Sequence, residues 1–251
     1  MILVILYILI ILIIIIFFYC VTHNERNYIR RALPIQTCAF GKLNYEVKEK
    51  YGTHNDFLLS YSLFGNYNKY TPTLLKSLDI IPSLLPEWTV RVYVAPDIPI
   101  EILKRLIEKC EVYVMNQSPL GYEAALWRFR PIEEQITFVS LDADDIFDVQ
   151  RANDIKKWLL SNKPFASFSK HAYFVPLDAG KWGARPIQAN IRDMNDYCEP
   201  WFGFDEAYLR DQIWPLFKKY GYFQGDKPYY LIEWTMVLIF CIITLMIYTL
   251  F

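Results

Sequence analysis

Between residues 56 and 228 the sequence alternates strand-like runs with helix-like segments, and this alternation most constrains the fold. The strand-like runs are DFLLSYSLFG, TVRVYVAP, EVYVMN, ITFVSLD and KPFASFS. The helix-like segments between and after them are YTPTLLKSLDIIPSLLP, PIEILKRLIEKC, YEAALWRFRPI and VQRANDIKKWLLSN. Strands that alternate with helices in this way predict a mixed, mostly parallel sheet with helices on both faces.

Both ends of the chain are strongly apolar. Residues 1–22 contain no charged side chain, glycine or proline, and about 20 such residues cross a bilayer. We predict a transmembrane anchor there, because the basic start and small-residue cleavage site of a signal peptide are missing. Residues 230–251, uncharged from Trp234 onward, predict a second transmembrane or membrane-associated helix, with a buried core helix as the alternative.

The predicted organisation places a stem at residues 23–54 and the functional domain at residues 55–228. Arg26, Arg30 and Arg31 follow the first apolar segment. Because basic residues next to a membrane segment favour the cytoplasmic side, we expect the functional domain to lie in the cytoplasm, anchored to the lipid bilayer. The five cysteines are scattered and form neither a disulfide framework nor a zinc pattern. A net charge of −1 without a basic block argues against a nucleic-acid partner.

The strand-like run at residues 136–141 ends in a cluster of carboxylates, Asp142, Asp144 and Asp145. Ligands of open α/β sheets bind beyond the carboxyl ends of the strands. Asp142 and Asp144 are two residues apart, so in extended backbone their side chains point the same way. Such a pair can hold Mn²⁺ or Mg²⁺, which prefer oxygen ligands. The alternative is a solvated acidic turn.

A strand followed by Asp-x-Asp in an α/β domain resembles the GT-A type glycosyltransferases. The stretches LLSYSLFGNYNKYTPTLLKSL, WTVRVYVAPDIPIEILKRL, LWRFRPI, KKWLLSNKPF, AGKWG and DQIWP resemble small GT-A glycosyltransferase-like proteins of large DNA viruses and some microbes. The resemblance covers residues 56–228. It implies a Rossmann-like GT-A fold, here flanked by N- and C-terminal transmembrane helices, and a nucleotide-sugar donor.

The resemblance also implies roles for particular residues. Asp142 and Asp144 match the metal and nucleotide-sugar motif, with Asp144 favoured as the direct ligand. Arg128 matches an arginine near the donor diphosphate, although an ion pair with Glu123 or Glu133 is the alternative. Asp211 and Gln212 match a catalytic Asp-Gln pair near the acceptor, where an aspartate capping a helix would look the same. Trp182 is either a platform for sugar stacking or a core residue.

Near the C-terminus, YFQGDKPYY partly matches retaining transferases of the glycogenin kind. Gly225 and Lys227 occupy positions that contact the donor, but Tyr222 stands where a histidine would bind the metal. Asp226 or water would then complete the metal shell. His171 is a further candidate for contact with donor or acceptor, and a structural role is its alternative.

These features predict a metal-dependent glycosyltransferase, with retention of configuration favoured. The donor would be a UDP- or GDP-sugar, and the acceptor a hydroxyl group of a glycan, lipid or protein. One alternative is a membrane-tethered binding protein built on a decayed transferase domain, which the missing histidine favours. Another is a metal-dependent nucleotidyltransferase, but a glycine-rich phosphate loop is absent from the sequence.

Overall fold

Eight strands pair into one sheet in the computed structural model, which describes residues 46–116, 123–169, 177–189, 191, 194 and 204–225. In chain order the strands are β1 (Val47–Tyr51), β2 (Phe57–Leu63), β3 (Thr89–Val94), β4 (Glu111–Met115), β5 (Thr137–Leu141), β6 (Phe165–Ser167), β7 (Lys181–Ala184) and β8 (Tyr222–Gln224). Their order in the sheet is β1-β4-β3-β2-β5-β7-β6-β8.

The sheet is mixed, and its centre is parallel. Strands β4, β3, β2 and β5 run in one direction, and β1 pairs antiparallel with β4 at one side. On the other side β7 lies antiparallel between β5 and β6, and β8 pairs parallel with β6. All strands except β1 and β7 therefore end at the same edge of the sheet, which we call the carboxyl edge.

The helices connect the strands and cover the sheet. They are α1 (Tyr67–Leu84), α2 (Ile100–Ile107), a 3₁₀ helix (Glu123–Ile132), α3 (Val149–Leu160), α4 (Phe204–Tyr208), a π-helical turn (Leu209–Ile213) and α5 (Trp214–Tyr220). The start of α1 is capped by Asn66, whose side chain accepts a hydrogen bond from the Lys69 N–H at 3.1 Å. Asp148 caps α3 in the same way, accepting from the Arg151 N–H at 2.7 Å.

Buried side chains lie on both faces of the sheet. Successive residues of a strand point to opposite faces, so Leu59 belongs to one core cluster and Leu58 to another, and neither is exposed to solvent. The first cluster packs the sheet against α1 and α3. The second packs it against the 3₁₀ helix and α5 and includes the fully buried Trp182. The predicted mixed α/β architecture with helices on both faces is therefore confirmed.

Three strands were not anticipated from the sequence. Strand β1 lies within residues 23–54, the segment predicted as a stem, and its Tyr51 pairs with Val112 of β4. Strands β7 and β8 are only four and three residues long. Neither is long enough to show the alternation of apolar and polar residues from which strands are recognised.

The predicted localisation, a membrane protein with one or two transmembrane helices, requires a correction. Among the residues that the structure describes, no helix is long and apolar enough to cross a membrane. The segments that led to the prediction, residues 1–22 and 230–251, lie outside the described residues.

Candidate functional site

The Asp-x-Asp sequence follows β5 directly and lies at the carboxyl edge, where a cavity of about 310 Å³ opens. Strand β5 is central, between β2 and β7, so residues that precede it in the chain and residues that follow it both line the cavity. The acidic residues that line it are Asp142, Asp144, Asp178, Asp205 and Glu206, and the other lining residues are Ser62, Phe64, Tyr70, Ala125, Arg128, Ala143 and Ala179. Carboxylates thus dominate a cavity that also contains one arginine.

Arg128 joins two of these carboxylates. Arg128 lies on the 3₁₀ helix, and its N–H donates to Ser62 Oγ on β2 at 3.1 Å, which fixes its backbone relative to the sheet. Its Nη1 donates to the carbonyl of Leu141 at 3.3 Å and to Asp142 Oδ1. Its Nη2 donates to Asp205 Oδ2 at 2.8 Å. Arg128 thus pairs with Asp142 of the Asp-x-Asp motif and with Asp205, and its predicted role beside the donor diphosphate stays a prediction.

Burial and charge act against each other in this group of three. Burial lowers the pKa of Arg128, but the attraction of Asp142 and Asp205 outweighs it and raises the pKa above its usual value. Burial raises the pKa of Asp142, yet Arg128 holds that pKa below the ordinary range. For Asp205 burial prevails over the attraction of Arg128, and its pKa is raised. Arg128 therefore stabilises the charge on Asp142 more effectively than the charge on Asp205.

The Asp142 carboxylate is also confined by Gly180. A Cβ atom at position 180 would lie 1.9 Å from Asp142 Oδ2, which is far inside van der Waals contact. Two contacts hold Gly180 there: Leu141 pairs with Lys181, and Ser140 Oγ donates to the carbonyl of Ala179 at 2.7 Å. Only a residue without a side chain fits beside the carboxylate.

Asp144 and Asp145 differ in their surroundings. The Asp144 side chain is 50% exposed, and the Nζ atom of the exposed Lys69 lies 3.8 Å from its Oδ2. Asp145 Oδ2 lies 3.1 Å from Arg151 Nη2 and 3.7 Å from Lys181 Nζ. Asp145 is thus engaged by two cations, whereas Asp144 presents a more accessible carboxylate to the cavity.

The predicted catalytic pair and the predicted sugar platform lie away from the cavity lining. Asp211 and Gln212 belong to the π-helical turn, and Asp211 Oδ1 accepts from the Nε of Arg210 at 2.6 Å. Trp182 is completely buried and packs edge-on against Phe129 and Phe138. Trp182 is therefore a core residue, and the catalytic role of Asp211 and Gln212 stays a prediction from sequence.

The C-terminal candidates are only partly described. Tyr222 begins β8, so it lies at the edge opposite the Asp-x-Asp motif, and its ring packs against Phe217 at 5.3 Å between centroids. Gly225 follows β8 at the carboxyl edge, where its N–H donates to the carbonyl of Ser167 at 2.8 Å. The predicted residues Asp226, Lys227 and His171 lie outside the described residues.

The donor set at the cavity suits a hard divalent cation. Asp142 and Asp144 supply carboxylate oxygens, and Mg²⁺ is commonly held by one or two carboxylates together with substrate phosphates. Within the described ranges, no group of three or more aspartate, glutamate, histidine or cysteine side chains is arranged to hold a metal ion. A cation here would depend on its substrate for further ligands.

Asp178 and Asp205 were not identified from the sequence. Asp205 lies in the first turn of α4 and is 77 positions from Arg128, so no local spacing relates the two. Asp178 accepts a hydrogen bond from the Gly180 N–H at 3.1 Å and lies 3.4 Å from Lys181 Nζ. The sequence offered one signal for Asp178, its position two residues before Gly180, but this pattern is common in ordinary turns and does not indicate a site.

No protein-family model and no curated protein matches the sequence. Among solved structures, the chain is similar to the crystal structure of S. aureus TarS 1-349, with 17% identity over 45% of this chain and 35% of that chain and a TM-score of 0.35. It is also similar to the mannosyltransferase PcManGT from Pyrobaculum calidifontis in complex with GDP-Man and Mn²⁺. That match has 15% identity over 68% of this chain and 55% of that chain, with a TM-score of 0.40. The chain thus spans only part of both proteins.

Proposed function

We propose that this protein is a glycosyltransferase of the GT-A type, which uses a nucleotide-diphosphate sugar and a divalent cation bound at Asp142 and Asp144. The observation that carries the proposal is the position of these two carboxylates. They leave the carboxyl end of the central strand β5 and enter a cavity of about 310 Å³. Ligand sites of open α/β sheets lie at such strand ends, and the volume falls within the usual range for ligand pockets, about 300 to 1,000 Å³.

The electrostatics of the cavity favour a cation-dependent reaction. Among the described residues, the lining contains five carboxylates and one arginine. Arg128 is paired with two of the carboxylates, and Lys69 and Lys181 lie 3.8 Å and 3.4 Å from Asp144 and Asp178. An unaccompanied diphosphate would be repelled by the remaining negative charge. Mn²⁺ or Mg²⁺ at Asp144, when bound, would supply positive charge for the departing diphosphate.

The chain's own residues would position the donor. Asp144 is the exposed ligand candidate, and Asp142, held by Arg128 and Gly180, has a fixed orientation beside it. Tyr70 and Phe64 present aromatic surface to the same cavity. The acceptor hydroxyl would approach on the side of Asp178, Asp205 and Glu206, whose carboxylates can accept its hydrogen bonds.

A donor panel tests this function. Purified protein would be incubated with UDP- and GDP-sugars in the presence of Mn²⁺, and binding and products would be measured by calorimetry and mass spectrometry. We expect one nucleotide class to bind, and its sugar to be transferred to water in the absence of an acceptor, with release of the nucleoside diphosphate. Absence of donor binding across the panel, with and without Mn²⁺, would contradict the proposal.

The second candidate is a binding protein on a transferase scaffold. The neutralisation of Asp142 by Arg128 and the packing of Tyr222 in an aromatic cluster favour it, because both differ from an open, three-ligand metal site. The same panel separates the two functions. Donor binding without release of a nucleoside diphosphate, with every acceptor tried, would identify the binding protein.

A further inference from the structure

Arg128 forms an ion pair with Asp142, one of the two carboxylates that would bind the proposed cation. Its Nη1 donates to Asp142 Oδ1, and the Arg128 side chain is 7% exposed. Asp142 Oδ2 lies against the backbone of Gly180. Both oxygens of Asp142 are therefore in contact with other groups, whereas Asp144 contacts Lys69 at 3.8 Å from an exposed position.

The guanidinium has a second acceptor in Asp205. Nη2 donates to Asp205 Oδ2 at 2.8 Å, and Nη1 also donates to the Leu141 carbonyl at 3.3 Å. These two bonds remain if the bond to Asp142 is lost. A buried guanidinium without any acceptor would be strongly destabilised. Because Asp205 continues to accept a hydrogen bond from Arg128, the free-energy cost of breaking the Arg128–Asp142 contact is reduced.

We propose that Arg128 is a built-in counter-ion that occupies Asp142 in the cation-free protein, and that Asp205 retains the guanidinium when a divalent cation takes a share of Asp142. This inference rests on the proposed function, since it concerns the regulation of the same site. Its consequence is that the negative charge of Asp142 is already countered before the donor arrives. Cation affinity is then held low until the donor phosphates add their own ligands.

The competition predicts opposite effects for substitutions of Arg128 and of its second acceptor, Asp205. Arg128→Gln removes the competing charge and raises Mn²⁺ affinity. Asp205→Asn weakens the alternative acceptor, leaves Arg128 on Asp142, and lowers Mn²⁺ affinity. An opposite charge at this range shifts the proton affinity of a carboxylate by about 1 to 3 pKa units. By the same attraction we expect Arg128→Gln to tighten Mn²⁺ binding by about tenfold or more.

The measurement is Mn²⁺ binding to the full chain without donor, by calorimetry and by the electron paramagnetic resonance signal of free Mn²⁺. Arg151→Gln is the matched control, because Arg151 holds the neighbouring Asp145 at 3.1 Å; it should change Mn²⁺ affinity by less than about threefold. Asp79→Asn, at an exposed carboxylate paired with Lys109, controls for the loss of one negative charge and should change nothing.

A double-mutant cycle separates competition from a general field effect. Competition predicts that Asp205→Asn lowers Mn²⁺ affinity more in the wild-type background than in the Arg128→Gln background. Equal effects in both backgrounds, or unchanged affinity in Arg128→Gln, would overturn the inference. If Arg128→Gln does not fold, Arg128→Lys takes its place in the cycle, because a single ammonium group does not offer the paired donors of the guanidinium to Asp142 and Asp205. Equal effects of Asp205→Asn in both backgrounds would overturn the inference, and a smaller effect in the Arg128→Lys background would support it.

The outcomes for the two proposals remain distinct. If the Mn²⁺ affinities follow this pattern but no donor of the panel binds, the counter-ion role of Arg128 is supported and the glycosyltransferase function is contradicted. If a donor is turned over but Arg128→Gln leaves the Mn²⁺ affinity unchanged, the glycosyltransferase function is supported and the counter-ion role of Arg128 is contradicted. Absence of Mn²⁺ binding in both the wild type and Arg128→Gln would contradict the counter-ion.

Discussion

Gly180 lies directly against the carboxylate of Asp142, so that a methyl group at position 180 would stand 1.9 Å from Oδ2. The contact joins the start of β7 to the residue that follows β5. The short antiparallel strand β7 brings a residue without a side chain to the one place where the carboxylate needs room.

The first prediction concerns Gly180→Ala. Because the new methyl group overlaps Asp142, the variant should lose about 1 to 3 kcal/mol of unfolding free energy, together with Mn²⁺-dependent activity. Urea unfolding measures the first effect. In an Asp142→Ala background the overlap is absent, and the same substitution should cost much less. An equal cost in both backgrounds would show that the clash is not with Asp142.

A second prediction separates the two neighbouring carboxylates. Asp144→Asn should weaken Mn²⁺ binding about tenfold or more while leaving the thermal midpoint unchanged, because the side chain is half exposed and holds no buried partner. Asp145→Asn should leave Mn²⁺ binding within about threefold, since Arg151 and Lys181 already engage that carboxylate. The reverse order of effects would assign the metal to Asp145.

The opposite pKa shifts of Asp142 and Asp205 give a third prediction. The pKa of folded Asp142 is lowered, so its contribution to stability is present above the unfolded value of about 3.9 and is lost as the pH falls through the folded value. The pKa of folded Asp205 is raised. Its contribution is present below the unfolded value and is lost as the pH rises through the folded value.

Unfolding free energies measured between about pH 3 and pH 7 test these signs. The deficit of Asp142→Asn relative to the wild type should grow with rising pH, to about 1 to 3 kcal/mol. That of Asp205→Asn should shrink or change sign over the same interval. Parallel curves for the two variants would contradict the assignment of charge within the Arg128 group.

A fourth prediction concerns the ion-pair network near the opposite edge of the sheet. Arg91 is fully buried; its Nε donates to Glu111 Oε2 at 2.5 Å and its Nη1 to Glu134 at 2.8 Å. Arg91→Gln leaves the buried Glu111 with only His54, whose Nδ1 lies 3.1 Å from Oε1, and should cost about 3 to 5 kcal/mol. Glu134→Gln should cost less, because Glu134 is partly exposed. Neither variant should alter Mn²⁺ affinity beyond what loss of folded protein explains.

The pattern of apolar residues was sufficient for the central part of the fold. Strand β5 was predicted within one residue at each end, because its short apolar run is followed directly by a charged cluster. Strands β7 and β8 were missed because their short sequences form strands only through pairing with β5 and β6. The 3₁₀ helix was predicted as an ordinary helix, since apolar spacing does not distinguish the two.

The site was predictable where its residues follow one strand, and not where it depends on contacts distant in sequence. Asp142 and Asp144 were singled out because they stand two residues apart directly after β5. Asp205 was missed, because only the folded chain shows which acidic residue of that region reaches Arg128. Trp182 reads equally well as a platform or as core, and its complete burial decided the question.

The central claim is that this cavity binds a nucleotide-diphosphate sugar through a cation at Asp144. The most direct measurement is the release of nucleoside diphosphate from UDP- and GDP-sugars by the wild type and by Asp144→Asn, with Mn²⁺ and after chelation. We predict release by the wild type with Mn²⁺, and its loss both on chelation and in the variant. Equal release by Asp144→Asn, or release that survives chelation, would contradict the claim.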